Sequence, residues 1–501
     1  VGEPARRLAH PRGRAADELG TRRFDLLVVG GGIIGAATAA HAARAGLAVA
    51  LVDAGDFGGA TSSASSKLIH GGLRYLRLGD VRLVREAHHE RRTLTKVVAP
   101  HLVHRFPFLL PLYEGGPYRP AFVQSGILVY STLALSRLNW LVKPSRARSL
   151  VPALRTDGLR SCALYADAWT NDARLCLENV VAAAEAGATV LNGAEVVALR
   201  STTGRVSGAE VRVDGEVISV DAGAVVNAAG PWVDRVRRLE DPAAAASVRL
   251  SKGVHVVVSG GAGWTAALTV PQDAVRVTFA VPWYGMLLLG TTDTTYEADP
   301  AEVAVEPADV EQILREAAVA LEPQAAGPGL VRDTWAGLRV LPAGPGESVS
   351  ARRETVFSRG PGGMLSVAGG KLTTYRRIAL QALDRMRPDL GLPRLDKRPW
   401  PLPGACGIRE PSLPGVLEPD VRAHLFHLYG SRAAEVLAPA ADDPSLLERL
   451  HPDGPDIVAQ ALYAATSEWA RNADDVLRRR TTVGVRGLAD DSTRARVEAF
   501  L

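Results

Sequence analysis

The chain of 501 residues is 47% hydrophobic and 22% charged, a globular balance that excludes fibrous and disordered classes for its bulk. At about 100–200 residues per domain, the length predicts three domains or two large ones. Lys plus Arg total 58 against 54 Asp plus Glu, a net +4, and residues 1–23 alone hold six arginines against three acids, so no nucleic-acid partner is expected. Cys162, Cys176 and Cys406 show no C-x-x-C spacing; neither a disulfide framework nor a thiolate metal site is expected, and a reducing, cytoplasmic setting fits.

Residues 1–23 contain Pro4, Pro11, Gly13 and Gly20 without apolar periodicity and read as a disordered basic tail. Arg6-Arg7 is followed by no apolar stretch of the kind an export signal needs. Phe24–Val29 is a short apolar run with the profile of a buried parallel strand. It meets Gly30-Gly31-Gly32-Ile33-Ile34-Gly35, then an Ala-rich helical stretch to Arg44, Gly46 as a stop, and a second strand, Leu47–Val52, ending in Asp53. Strand, G-x-G-x-x-G turn, helix, strand and acid together predict a dinucleotide-binding fold. Gly30 permits the tight turn, Gly32 lets backbone N–H groups approach a pyrophosphate, and Gly35 lets helix and strand pack closely. The helix N-terminus offers positive charge to phosphate, and Asp53 accepts from ribose hydroxyls.

Ala60–Lys67 is rich in small hydroxyl residues. A flexible linker is the plain alternative, but the segment runs straight into Leu68-Ile69-His70-Gly71-Gly72-Leu73-Arg74-Tyr75. The apolar windows 26–52 and 127–142 are both interrupted, short of the ~20 clean apolar residues of a spanning helix. Ala222–Val226 closes in Asn227-Ala228-Ala229-Gly230-Pro231-Trp232. Met364–Val367 runs into Gly369-Gly370-Lys371-Leu372-Thr373 ahead of a helix to about Met386. Three distant segments returning to one cofactor fit FAD, and NAD does not need them. Between 242 and 336, the runs Val248–Val258, Val275–Val281 and Met286–Gly290 surround a helix carrying Val310, Ile313, Leu314, Ala317, Ala318 and Leu321 at helical spacing, a substrate domain expected to be antiparallel. From about 391, Pro393, Pro399, Pro401 and Pro403 mark a linker into helical patterns. There Arg478-Arg479-Arg480 reads as a solvated helix face, with contact to acidic lipid as the alternative.

These segments resemble the FAD-dependent glycerol-3-phosphate dehydrogenases. The likeness is carried by Ala60–Leu76, Asn171–Arg174, Asn227–Val233, Lys252–Val257, Gly290–Tyr296, Gly337–Leu341 and Leu365–Arg376, in order across about residues 24–390. A weaker likeness continues through Glu468-Trp469-Ala470 and Asp474–Thr481. The resemblance implies an α/β fold: an FAD-binding, Rossmann-like domain of the glutathione-reductase type (24–92, 166–241, 338–390) interleaved with a mixed or antiparallel substrate domain (93–165, 242–337). An all-α domain (391–501) follows. It implies oxidation of sn-glycerol 3-phosphate to dihydroxyacetone phosphate, with electrons passed to quinone at the membrane surface. Peripheral contact with the inner face of the cytoplasmic membrane and a homodimer are expectations that the residues leave open. The first 23 residues have no counterpart in short relatives, and Ser348–Gly363 matches loosely, which leaves the assignment of Arg353 open.

Such chemistry needs a hydride acceptor, a group to take or offset the C2 hydroxyl proton, and cations for a phosphate of about −1.5 to −2 charge. His255, alone in the apolar Val254–Val258, is a core residue by itself and a base once the resemblance is weighed. His70 is read as touching flavin or substrate, or as stabilising a turn, and which of the two histidines is the base stays open. Arg339, in an apolar stretch, wants an anion, either a carboxylate or the substrate. Lys371, one of six lysines among 52 arginines, suits a point charge beside the reduced flavin. Arg74, Tyr75 and Arg353 are the substrate-binding candidates. FAD contact is assigned to Gly30, Gly32, Gly35, Asp53, Thr61, Ser62, Ser66, Lys67, Leu68, Gly230, Gly369, Gly370, Leu372 and Thr373. Asp293 is read as structural or as holding a cation in place; His88 and His89 are read as surface or packing residues. No metal is expected. An oxidase using oxygen, an amine or amino-acid oxidase, and a redox-silent FAD-binding scaffold are the rival readings.

Overall fold

The structure, a computed structural model, describes residues 11–71, 81–118, 123–124, 126, 140–273, 276–344, 355–392, 394–407 and 417–501. Its strands alternate between two sheets as the chain advances. β1 (Phe24–Val29) and β2 (Val49–Asp53) enter the first sheet; β3 (Leu68–Ile69), β4 (Val103–Tyr113), β5 (Trp140–Val142) and β6 (Leu159–Thr170) build the second. The chain returns to the first with β7 (Thr189–Asn192), β8 (Ala194–Thr202), β9 (Arg205–Val213) and β10 (Glu216–Asn227). It crosses again with β11 (Val248–Ser259), β12 (Ala267–Pro271), β13 (Val277–Trp283), β14 (Met286–Gly290), β15 (Thr294–Tyr296) and β16 (Val331–Pro342). β17 (Thr355–Arg359) and β18 (Leu365–Gly369) close the first sheet.

The first sheet runs β17-β18-β10-β1-β2-β7, with β18, β10, β1, β2 and β7 mutually parallel. Parallel strands bury both faces, which is why β1 is an unbroken apolar run. Leu26 and Val28 face the helices Ile33–Arg44, Asp172–Glu185 and Tyr375–Leu390, while Leu27 and Val29 face the layer built from β9 and β10. Helix Pro11–Thr21 lies on that second face, burying Ala15 and Leu19 there. This corrects the expectation of disorder through residue 23: two apolar residues four apart are too short a stripe to register as periodicity, yet they suffice to cap an open sheet face. Arg12 Nη1 donates to Asn192 Oδ1 at 2.7 Å, and Thr189 Oγ1 donates to Glu18 Oε2 at 2.7 Å, which fixes the helix at both ends.

The second sheet runs β15-β11-β14-β13-β12-β4-β6-β3, with β16 on β11 and β5 on β6. It is antiparallel except where β12 lies parallel to β4. Period-two alternation sorts β11: Val254, Val256 and Val258 pack with Ile313, Leu314 and Ala317 of helix Pro307–Ala317, and His255 points the other way.

Residues 417–501 form a helical domain with its own core, including Val421, Leu425, Val436, Ile457, Ala461 and Val497. It docks on the first sheet's helices through buried charge. The Arg174 guanidinium sits between Glu178, at 3.1 Å, and Glu468, and Trp469 meets Phe57 edge-on at 5.6 Å. Arg480 is fully buried on Asp56 and Arg479 is nearly so, which corrects the reading of Arg478-Arg479-Arg480 as a solvated face; Arg478 alone is half-exposed. A short π-helical turn, Val476–Arg480, aims two successive arginines inward, a placement that α-helical spacing does not anticipate.

Burial holds imidazoles neutral through this interior. It pushes His41 and His88 down to about 3 and His101 and His104 to about 4, and lowers His255 and His427 as well. Each binds a proton in the unfolded chain below about 6.5 but not in the fold, so stability falls as pH drops from about 6.5 toward 4. Asp53, Glu240 and Asp333, pushed up by burial, oppose this with fewer groups. Calorimetric Tm is therefore expected to decline steadily across that window; a flat profile would contradict the assignment.

Candidate active site

The alternation between sheets brings four segments to one seam: the connections 54–67, 228–232 and 369–373, and the stretch 337–341 of β16. They enclose a cavity of about 840 Å³. Its floor is the glycine turn. Gly30 has φ +104°, and a Cβ there would lie 2.5 Å from Ala228 O; one at Gly35 would lie 1.8 Å from Gly30 O, so turn, helix and neighbouring strand meet only without side chains. Ser62 Oγ accepts from Ile33 N at 2.9 Å, capping the helix that opens there, and Thr61 Oγ1 donates to Leu338 O at 2.7 Å, tying this loop to the second sheet.

Asp53 ends β2 at the cavity wall and accepts from Gly31 N at 2.6 Å and Gly55 N at 2.8 Å. Burial nevertheless pushes its carboxyl up to about 6, the backbone bonds offsetting part of the rise. At the far end, the one-turn helix Leu372–Thr374 follows Gly369-Gly370-Lys371, and Thr373 Oγ1 accepts from His70 N at 3.1 Å. His70 and Lys371 both line the cavity.

The second sheet supplies the remaining wall. His255 pairs in register with Gly290 of β14 and Trp335 of β16, stacks on the Trp335 ring at 5.4 Å, and shares a 2.9 Å hydrogen bond between Nε2 and Ser66 Oγ. Burial holds its pKa well below the ordinary imidazole value, and the nearby Arg339 and Lys67 charges add to the effect. Arg339 crosses β11 from β16. Its Nη2 donates to Thr291 Oγ1 and Thr292 O at 2.9 Å, and its Nη1 lies 3.4 Å from Asp293 Oδ1, so Asp293 holds a cation in place. A Cβ at Gly290 would lie 2.5 Å from His255 Cδ2, and one at Gly253 2.5 Å from Arg339 Nη2. Both glycines make room for a polar side chain.

Of the expected site residues, Gly30, Gly32, Asp53, Thr61, Ser62, Ser66, Leu68, His70, Gly230, His255, Arg339, Gly369, Gly370, Lys371, Leu372 and Thr373 line this one cavity. Gly35 packs beneath it. Lys67 stands apart from that lining: its Nζ lies 2.5 Å from Asp172 Oδ1, between the rings of Trp283 and Trp335 at 5.0 and 4.8 Å. Left-handed backbone at Lys67, φ +56°, turns the side chain inward, a reversal that residue type does not announce. Arg74, Tyr75 and Arg353 lie outside the described residues. Asp56, Asp475 and Arg479 also line the cavity and were not anticipated; Asp56 stands three residues after Asp53, and its demand for a cationic partner was the available signal.

A glycine turn at a helix N-terminus, an acid at the end of the second strand, and a single cavity running on to an imidazole and two cations define a flavin-dependent oxidoreductase. Residues 25–376 match the family described as FAD dependent oxidoreductase, and residues 374–496 match the C-terminal domain of alpha-glycerophosphate oxidase. The chain is 36% identical to glycerol-3-phosphate dehydrogenase 2 of Mycobacterium tuberculosis over 493 residues, 95% of this chain and 83% of that protein. It is 34% identical to the mitochondrial glycerol-3-phosphate dehydrogenase of Homo sapiens, covering 96% of this chain and 70% of that one. It superposes on the glycerol-3-phosphate dehydrogenase of Bacillus halodurans complexed with FAD at a TM-score of 0.76 and 26% identity, over 98% of this chain and 93% of that one. The chain belongs to the FAD-dependent glycerol-3-phosphate dehydrogenase family, and its cofactor is FAD. The cradle fits that group: the Cβ-free turns leave backbone open to a pyrophosphate, and Asp53 faces the cavity where a ribose is expected.

A carboxylate accepts from ribose hydroxyls; a carboxylic acid does so less well. FAD affinity of the apoprotein, measured by flavin fluorescence, is expected to weaken as pH falls through about 6. Asp53→Asn should bind FAD about tenfold or more weakly at pH 8 and lose that pH dependence.

Proposed function

We propose that the chain oxidises sn-glycerol 3-phosphate to dihydroxyacetone phosphate and passes the electrons to a quinone. The observation that carries this reading is the convergence of His255, Arg339, His70 and Lys371 on the cavity that begins at the glycine turn. FAD, when bound, supplies the acceptor for the hydride leaving C2. His255 takes the C2 hydroxyl proton at Nε2; the imidazole is neutral at physiological pH and ready as a base. The C2 hydroxyl takes the place of Ser66 Oγ at that nitrogen on binding, and Trp335 holds the ring's face. Arg339, steadied by Asp293, Thr291 and Thr292, presents a planar cation to the phosphate. Lys371 places a compact positive charge beside the reduced cofactor. Arg74, Tyr75 and Arg353 complete the substrate pocket in this reading.

Relatives named as dehydrogenases support an acceptor other than oxygen, for which this reading takes a quinone. A quinone resides in the bilayer, so peripheral contact with the inner membrane face belongs to the same reading. Among the described residues no helix is long and apolar enough to cross a membrane.

Anaerobic addition of glycerol 3-phosphate should bleach the flavin, whereas glycerol, lacking the anion, should not; indifference to both sinks the substrate assignment. A soluble quinone analogue should support turnover with little peroxide, and stoichiometric peroxide would instead mark an oxidase. His255→Asn is expected to lower kcat by about 10²–10⁴ with KM little changed. Arg339→Gln should raise KM for the phosphorylated alcohol at least about tenfold.

A further inference from the structure

The cavity's wall beside Asp53 is not built by the nucleotide fold alone. Arg479, from the C-terminal helical domain, lines it together with Asp56 and Asp475. Arg479 donates from Nε to Asp56 and from Nη2 to Asp475, and its Nη1 bonds none of the described residues. Asp56 is three residues beyond Asp53, on the loop that leaves β2. Its carboxylate is shared by Arg479, by Arg480, whose Nη2 lies 2.7 Å from Oδ1, and by Asn192 Nδ2 at 3.1 Å. Asn192 also donates to Trp469 O at 2.8 Å, and Arg480 Nη2 to Glu468 O at 2.7 Å. Strand end, loop and C-terminal domain thus meet at one carboxylate, with a guanidinium left on the cavity side. The two arginines are balanced by Asp56 and Asp475, so Arg479 is held by two carboxylates and turns its remaining N–H edge to the cavity, where the ribose-rich half of the ligand offers hydroxyl and ring-nitrogen acceptors.

We propose that the C-terminal domain is part of the nucleotide site. Arg479 closes the Asp53 end of the cavity against the adenosine half of FAD, and FAD binding and docking of residues 468–482 are coupled. Arg479 acts here as a cofactor-binding residue, on the Asp53 side of the cavity. The coupling is reciprocal: if docking favours FAD, FAD favours docking to the same extent. It holds whichever alcohol is oxidised and whichever acceptor takes the electrons, so it stands or falls apart from the substrate assignment.

The test uses the full chain stripped of FAD and titrated back by flavin fluorescence, with amide exchange followed in residues 468–482. Arg479→Gln should raise the FAD Kd about tenfold or more, while Arg478→Gln, altering the half-exposed neighbour that pairs with Asp333, should leave it unchanged. In the native chain, FAD should slow exchange across 468–482, and this protection should shrink in Arg479→Gln. Asp475→Asn, which frees one anchor of Arg479 but keeps the Arg480–Asp56 pair, serves if the first variant does not fold; it should weaken FAD in the same direction. An unchanged Kd in the folded variant, or exchange in 468–482 indifferent to FAD in the native chain, would overturn the proposal.

Discussion

The ammonium of Lys67 and the carboxylate of Asp172 meet in the interior with side-chain exposures of 7% and 0%, and the site is arranged around them. Asp172 opens helix Asp172–Glu185 of the first sheet's layer and also accepts from the backbone N and Oγ of Ser65. Lys67 precedes β3, which pairs with β6 of the second sheet, so one ion pair joins the two halves of the molecule. Removing one partner of such a pair strands a buried charge at about 3–5 kcal/mol, whereas the intact pair holds the hydroxyl-rich loop still. That loop presents Ser62 to the helix N-terminus and Ser66 to His255, and the Lys67 charge helps hold the imidazole neutral.

The same economy governs the rest of the interior charge. Arg174, Arg376 and Arg480 are each matched with a carboxylate drawn from a distant segment, Glu468, Glu90 and Asp56, and Arg174 also with Glu178 one turn along its own helix. Guanidinium suits this because it bridges two acids in one plane and never loses its proton. The consequence is functional. Motifs that look like scattered family signatures, Asn171–Arg174 and Glu468–Ala470, turn out to be the two ends of one contact that seats the helical domain on the flavin domain. Arg339, held by Asp293, and Lys371 line the cavity itself, which is where the proposed function sets them against an anionic guest.

Much of this was legible beforehand because it rests on local chemistry. A glycine turn needs particular residues at particular spacing, and a parallel strand buried on both faces needs an apolar run, so β1, the turn, the following helix and Asp53 were all marked. His255 and Arg339 were visible for the opposite reason, as polar groups in runs where burial would cost them dearly without a partner. Helix Pro11–Thr21 was missed because its stability comes from Ala15 and Leu19 covering a sheet face, not from its own pattern. The inward arginines of 478–480 were missed because a π-helical turn changes which residues share a face.

Which residues line the cavity followed largely from residue type, spacing and family resemblance along the chain. How they divide the work did not. Lys67 became a strut and Arg479 a wall of the cavity, because pairing of a buried charge depends on which carboxylate lies within about 3 Å after folding. That distance is set by segments more than a hundred residues apart, and no local pattern encodes it.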